Sequence, residues 1–318
     1  MTETPNEQPA AGPDGADWID PEELGAPWLD LGIQQQIQWR DGDVVISVPV
    51  KSGTTWTMNI VHQLRAGGDP DLEDVYVEVP WLELLGGPST RPEDVVGRID
   101  SMPRATRRAF KTHSAPGMLP YFAPGTGPDV RYVVVVRNPD EVLASMYPFV
   151  KSHSVGWFDL WGIDKDEFVP PDIDAFFEGF AKQMLPGALY GFTAAWWPYR
   201  NASNVLMLHF AEMKQDHEGS VRRIADFLGF EPSASEWKTI LECTSFPWMK
   251  AHESKFEAQT VADVPILDKG AMVRKGKLGS AREDGVTAQM SAALKALGSE
   301  MLTDTDAMRW LYEGRAPG

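Results

Sequence analysis

The sequence predicts an α/β protein, a parallel β-sheet flanked by helices on both faces. Four short apolar runs carry the first half of that prediction: "DVVISVPV" (43–50), "RAFKT" (108–112), "RYVVVV" (131–136) and "NVLMLHF" (204–210). Runs that stay apolar rather than alternating suit strands covered on both sides. Helical patterns lie between and after them, and strands alternating with helices build a parallel sheet.

The elements follow in chain order. Residues 1–16 are polar and rich in Pro and Gly, the composition of a disordered tail, and 17–318 reads as a single domain. After the strand in 43–50, Thr54 to about Leu64 reads as a helix with Ile60, Val61 and Leu64 on one face. The strand in 131–136 ends at Arg137, and Asn138-Pro139-Asp140 opens the next helix with Pro at its start. Ser145 falls two turns along that helix. In "SVRRIADFLGF" (220–230), Val221, Ile224, Ala225 and Leu228 have helical spacing, and Gly229 suits the C-cap. Residues 151–172 and 250–286 read as long loops, which in compact domains are often functional.

Composition narrows the function. The chain has 318 residues, 43% of them hydrophobic, and Lys+Arg 29 against Asp+Glu 46 gives a net charge of −17. Such a surface repels the phosphates of nucleic acid and of anionic membranes, so neither is an expected partner. Cys243 stands alone, which excludes an internal disulfide. The N-terminus has no signal-peptide pattern, and no stretch approaches the roughly 18 apolar residues of a membrane span. A cytoplasmic protein is the expectation.

Four stretches carry chemistry. "PVKSGTTW" (49–56) stands between a strand and a helix. Unpaired N–H groups at such a helix start attract anions, Gly53 allows close approach, and Thr54, Thr55 and Lys51 add donors. The Gly-Lys order and the metal-holding acid of an ATP site are absent, so the anion need not bring a metal. Arg137 stands at a strand end, where open α/β sheets bind ligands; an ordinary cation there would pair with Asp140 or Glu141. "VRKGKLG" (273–279) gathers three cations and two glycines with no nearby acid, a composition able to wrap an anion. In "FKTHSAPGMLP" (110–120), Lys111 and His113 alternate and so share one side of the sheet. Histidine is the natural base for a hydroxyl near neutral pH.

Together these stretches resemble the soluble, cytosolic-type sulfotransferases, over about residues 40 to 280. "PVKSGTTW" is similar to the family's 5′-phosphosulfate loop, "VRNPDEVLAS" to its 3′-phosphate segment, and "FKTHSAPGMLP" to the segment with its catalytic histidine. "VPWLE" (79–83) resembles the acceptor gate, "LYGFTAAWW" (189–197) and "CTSFPWMK" (243–250) the surroundings of adenine, and "RKGKLG" the closing basic loop. The resemblance implies the sulfotransferase fold and a co-substrate, 3′-phosphoadenosine 5′-phosphosulfate (PAPS), that leaves as 3′-phosphoadenosine 5′-phosphate (PAP), with no metal. It implies that Lys51, Ser52, Gly53, Thr54 and Thr55 hold the phosphosulfate. Trp56 and Phe246 would sandwich adenine, with Tyr190, Thr244 and Met249 beside it, and Arg137, Ser145, Arg274, Lys275 and Gly276 would hold the 3′-phosphate. In catalysis His113 would be the base, Lys51 would stabilise the leaving group, Lys111 would help hold the transferring sulfuryl group, and Ser145 would restrain Lys51.

Two departures stand out. The glycine loop continues as Gly279-Ser280-Ala281-Arg282 where the family often has Gly-Asp-Trp-Lys, and the family's dimer segment is degenerate near 282–291. The oligomeric state is left open by that. The acceptor would be a small molecule offering a hydroxyl, a phenol, sterol, lipid alcohol or glycoside. Trp81, Phe149 and Trp157 are candidate pocket residues, with Phe158 and Trp161 beside them. Two alternatives stay open at this stage: a P-loop phosphotransferase using ATP, and a non-catalytic nucleotide-binding relative.

Overall fold

The computed structural model describes residues 26–104, 106–258 and 261–314. The tail expected to be disordered, 1–16, lies outside them. The four expected strands form, β3 over the whole of its apolar run and the others shorter than theirs: β1 (Val44–Ser47), β2 (Ala109–Thr112), β3 (Arg131–Val136) and β4 (Val205–His209). They make one sheet in the order β2-β1-β3-β4, with every pair parallel. Period-two alternation splits their side chains between two cores. Val45, Phe110, Tyr132, Val134 and Val136 enter one core with Tyr190 and Trp196; Val44, Ile46, Val133 and Val135 enter the other with Met58, Ile60 and Ile224. Both faces are thus covered, the physical reason these runs do not alternate in the sequence.

Seven helices matter for the site: α1 (Thr54–Ala66), α2 (Pro139–Lys151), α3 (Val155–Trp161), α4 (His217–Leu228), α5 (Phe246–Ala251), α6 (Ala288–Met301) and α7 (Thr305–Glu313). The start of α2 is fixed as its sequence suggests. The Asn138 side chain accepts the Asp140 N–H at 2.9 Å, and Pro139 follows it. Gly229 ends α4 at φ 71°. Residues 173–196 form a continuous helical run containing two π-helical segments, Phe177–Ala181 and Pro186–Gly191.

The expected loop over 151–172 is corrected. It holds α3 and a further turn, Lys165–Phe168, each started by a capping side chain, Ser154 or Asp164. Short helices of this kind owe their stability to packing, so no long periodic pattern announces them. The expected loop over 250–286 starts later than its sequence suggests: α5 runs to Ala251 and a 3-10 turn covers Glu253–Phe256, and from Glu257 to Thr287 the described residues contain no helix or strand.

The strand order explains where a site must lie. The chain runs outward from β1 to β2, then crosses back to place β3 on the other side of β1. The crevice beyond the C-terminal ends of β1 and β3 is the topological switch point, where open α/β sheets bind ligands. Lys51, His113 and Arg137 leave the sheet there.

Candidate active site

A cavity of about 400 Å³ opens at this switch point, with Lys51, Gly53, Lys111, His113, Arg137 and Ser145 in its wall. The loop after β1 sets its floor. Lys51 adopts φ 56°, and Gly53, the N-cap of α1, adopts φ 100° without a side-chain cap. A Cβ on Gly53 would lie 2.7 Å from the Phe210 ring, so only glycine lets the loop pack there. An uncapped helix start leaves its first N–H groups aimed outward. The Thr54 hydroxyl beside them is buried and has no partner among the described residues. A buried donor left unpaired is costly, and an anion at this helix start would satisfy it.

Three titratable groups meet on the wall between the cavity's two ends. His113 Nδ1 lies 2.6 Å from the Val48 carbonyl. A carbonyl can only accept, so Nδ1 carries the proton and Nε2 keeps its lone pair in the neutral ring. Burial, then the charges of Lys111 and Lys51, holds His113 well below the ordinary histidine range, so neutrality is its resting state. Lys111 is 3% exposed, and its Nζ lies 2.9 Å from the Trp81 ring centroid. Burial drives Lys111 well below the usual lysine range, against the pull of the buried Glu83 carboxylate. Glu83 itself accepts from the hydroxyls of Thr112 and Ser114. Lys51 is pushed down to about 7 by burial and by the like charges of Arg137 and Arg274. Its ammonium lies 3.9 Å from the Phe149 ring centroid.

One end of the cavity is aromatic and basic. The Trp56 indole is fixed by donating Nε1–H to the Thr244 carbonyl at 2.8 Å. Lys214 stands between Trp56 and Phe246, 5.7 Å and 5.1 Å from their ring centroids. Gly276, at φ 56°, is pressed so closely on Phe246 that no Cβ fits. Arg137 donates to the Lys51 carbonyl at 3.0 Å and pairs with Glu141 at 3.0 Å. Arg274 and Lys275 join this end of the wall, and both contact Asp284. The other end is an apolar chamber. Trp28 and Trp157 meet edge-on at 4.6 Å, and Trp81, Phe149, Phe168 and Leu267 complete the lining.

The expected site residues do not all reach the cavity. Lys51, Gly53, Thr54, Thr55, Trp56, Trp81, Lys111, His113, Arg137, Ser145, Phe149, Trp157, Phe246, Met249, Arg274, Lys275 and Gly276 line it. Tyr190 does not: it is fully buried against Gly298, and its hydroxyl bonds to that of Tyr312. Phe210, 5.7 Å from Trp56, is the aromatic that stands at the cavity instead. Ser52 and Thr244 are buried behind the wall, and Thr244 acts through its carbonyl on Trp56. Phe158 packs in the interior at 1% exposure, and Trp161 stays outside the lining, near Trp28. Among the described residues, no hydrogen bond joins Ser145 to Lys51. The basic loop does have acids near it, Glu283 and Asp284, which fold back onto Lys275 and Lys277. Lys214, Phe210 and His153 also line the cavity without having been singled out. Phe210 and His153 signal themselves only by following the ends of β4 and α2, and Lys214, inside the short helix Phe210–Gln215, carries no sequence signal.

A basic, aromatic slot beside a helix start, opening on an apolar chamber with a neutral histidine at the junction, defines a nucleotide-dependent group transferase. The sulfotransferase domain model matches residues 41–306. The chain belongs to the sulfotransferase family and is by class a PAPS-dependent sulfotransferase. It is 27% identical over 287 residues to sulfotransferase 2A1 of Macaca fascicularis, covering 88% of this chain and 90% of that protein. The crystal structure of mouse sulfotransferase SULT7A1 complexed with PAP superposes with a TM-score of 0.66 at 24% identity, covering 90% and 93% of the two chains. That of retinol dehydratase with retinol and PAP gives 0.66 at 21% identity, covering 86% and 85%. These likenesses establish the α/β fold. Among the described residues, no helix is long and apolar enough to cross a membrane.

Proposed function

We propose that this chain moves the sulfuryl group of PAPS to a hydroxyl on a small apolar acceptor, with His113 as general base. The observation that carries this is the meeting of His113, Lys111 and Lys51 between the basic slot and the apolar chamber. A PAPS bound in the slot would present its sulfur where the chamber's acceptor hydroxyl arrives. His113 Nε2 takes the proton of that hydroxyl as its oxygen attacks sulfur. The bond from sulfur to the 5′-phosphate oxygen breaks, and PAP leaves. Lys51 stabilises the charge gathering on the departing oxygen, and Lys111 that on the sulfuryl oxygens. The N–H groups opening α1, with Thr54 and Thr55, cradle the 5′-phosphosulfate. Trp56, Phe210 and Phe246 surround the adenine, and Arg137, Arg274 and Lys275 take the 3′-phosphate. Ser145 belongs to this slot, beside Arg137.

The acceptor reading rests on the chamber. Trp28, Trp157, Phe149 and Phe168 offer flat apolar walls suited to a phenol, sterol, lipid alcohol or apolar glycoside. Retinol, bound by the retinol dehydratase neighbour, is an alcohol of that kind. We read residues 17–318 as one domain, because the cavity wall runs from Ala26 to Asp284. The decisive experiment is PAPS turnover against a panel of phenols, sterols, lipid alcohols and sugars. Turnover confined to hydrophilic sugars would sink the apolar-acceptor reading.

A further inference from the structure

The basic end of the cavity is answered by an acid of the same chain. Asp284 is 8% exposed in its side chain and stands in the cavity wall. Its carboxylate takes the Lys275 ammonium, accepts the Ser280 hydroxyl at 3.0 Å and lies 3.5 Å from Arg274 Nη2. Its backbone N–H donates to the Ser280 carbonyl at 2.9 Å, which holds the turn that aims it there. Two cations and a hydroxyl form the donor set that a phosphate monoester uses. The neighbouring Glu283 differs. It pairs with Lys277 at 2.7 Å, with both side chains more than half exposed, as on an ordinary solvated surface.

We infer that Asp284 occupies the place of the nucleotide's 3′-phosphate and sets the affinity of the chain for nucleotides that carry one. The inference rests on the reading of Arg274 and Lys275 as the 3′-phosphate clamp. Binding is then an exchange. The phosphate takes the cations, and the carboxylate must turn away from a group of its own charge. Full clamp strength is never realised, since one anion replaces another. PAPS enters more weakly than the cations alone would dictate, and PAP leaves more readily. A nucleotide without a 3′-phosphate leaves the carboxylate in place and feels none of this.

A purely structural Asp284, one that only shapes the 274–284 loop, has the opposite consequence, because removing it would loosen the clamp. The experiment compares PAP with adenosine 5′-phosphate, which lacks the 3′-phosphate, by calorimetric titration of the full chain. Asp284→Asn keeps the shape and an acceptor for Ser280, and Asp284→Ser is a smaller replacement should the first fold poorly. Either variant is expected to bind PAP about tenfold tighter, the scale of one charge-assisted pair, with adenosine 5′-phosphate unchanged. Unchanged or weakened PAP binding, with native thermal melting, overturns the inference. If PAP binds no tighter than adenosine 5′-phosphate in the unmodified chain and in both variants, the clamp reading itself has failed.

Discussion

His113 is neutral at rest, with its proton on Nδ1 and its lone pair on Nε2. Removing it should therefore cost turnover and not nucleotide affinity. On a weakly acidic aliphatic alcohol, His113→Ala should keep less than about a tenth of wild-type kcat, in line with general-base contributions. PAP affinity should stay within about twofold. Retained turnover on that alcohol would remove His113 from the chemistry. Lys51 governs the other limb of the pH profile. It is charged below about 7 and loses its proton as pH rises through that value. If the ammonium draws the phosphosulfate in, kcat/KM for PAPS should fall above pH about 7. The histidine limb lies below the ordinary value of about 6.5. In Lys51→Arg the cation persists, so the fall that begins near pH 7 should disappear from the profile, leaving the part that belongs to Lys111. A wild-type kcat/KM still rising at about pH 8 would contradict the assignment to Lys51.

At the scale of the element, α2 ties the slot to the basic loop through a proline. Pro148 lies inside the helix and offers no N–H to the carbonyl four residues back, that of Ala144. Arg274 Nη2 takes that carbonyl at 3.4 Å, which docks the loop carrying Lys275 and Gly276 on the helix. Pro148→Ala restores the donor within the helix and competes with Arg274. The variant should melt higher, since an interior proline costs about 3 kcal/mol in an ordinary helix. Its PAP affinity should drop a few-fold, by titration of the same protein. A more stable variant with unaltered PAP affinity would show that Arg274 does not depend on this anchor.

For the whole molecule, a net charge of −17 and an anionic co-substrate are reconciled by segregation. The cations proposed to bind it are gathered at one switch point, drawn from the ends of β1, β2 and β3 and from the 274–277 loop. Binding to the native state alone raises stability, by about 2.7 kcal/mol at a hundredfold excess over Kd. In a chain of this length that corresponds to a rise in Tm on the order of 5 °C with PAP. The rise should survive EDTA, because the donors assigned to the anion are N–H, hydroxyl, ammonium and guanidinium groups. A shift produced by Mg-ATP and not by PAP would overturn the co-substrate assignment for this site.

The sequence by itself determined the parallel sheet, because strands buried on both faces must be apolar throughout. It also pointed to 49–56 as a candidate anion loop, because glycine and hydroxyls there meet the free N–H groups of a helix start. The start of α2 was legible in Asn138-Pro139 for a similarly local reason. Only the tertiary structure decided which aromatics surround the slot. Tyr190 is consumed by Gly298 and Tyr312, more than a hundred residues away, while Phe210 reaches the cavity from the end of β4. It also decided that Thr244 works through its carbonyl, that Lys214 bridges Trp56 and Phe246, and that α3 forms within an expected loop. Asp284 shows the same division at short range. Its charge is plain in the sequence, but a turn through Ser280 is what carries it onto Arg274 and Lys275. Local pattern specifies backbone state; which side chains share a space is set by packing between distant segments, and periodicity does not encode it.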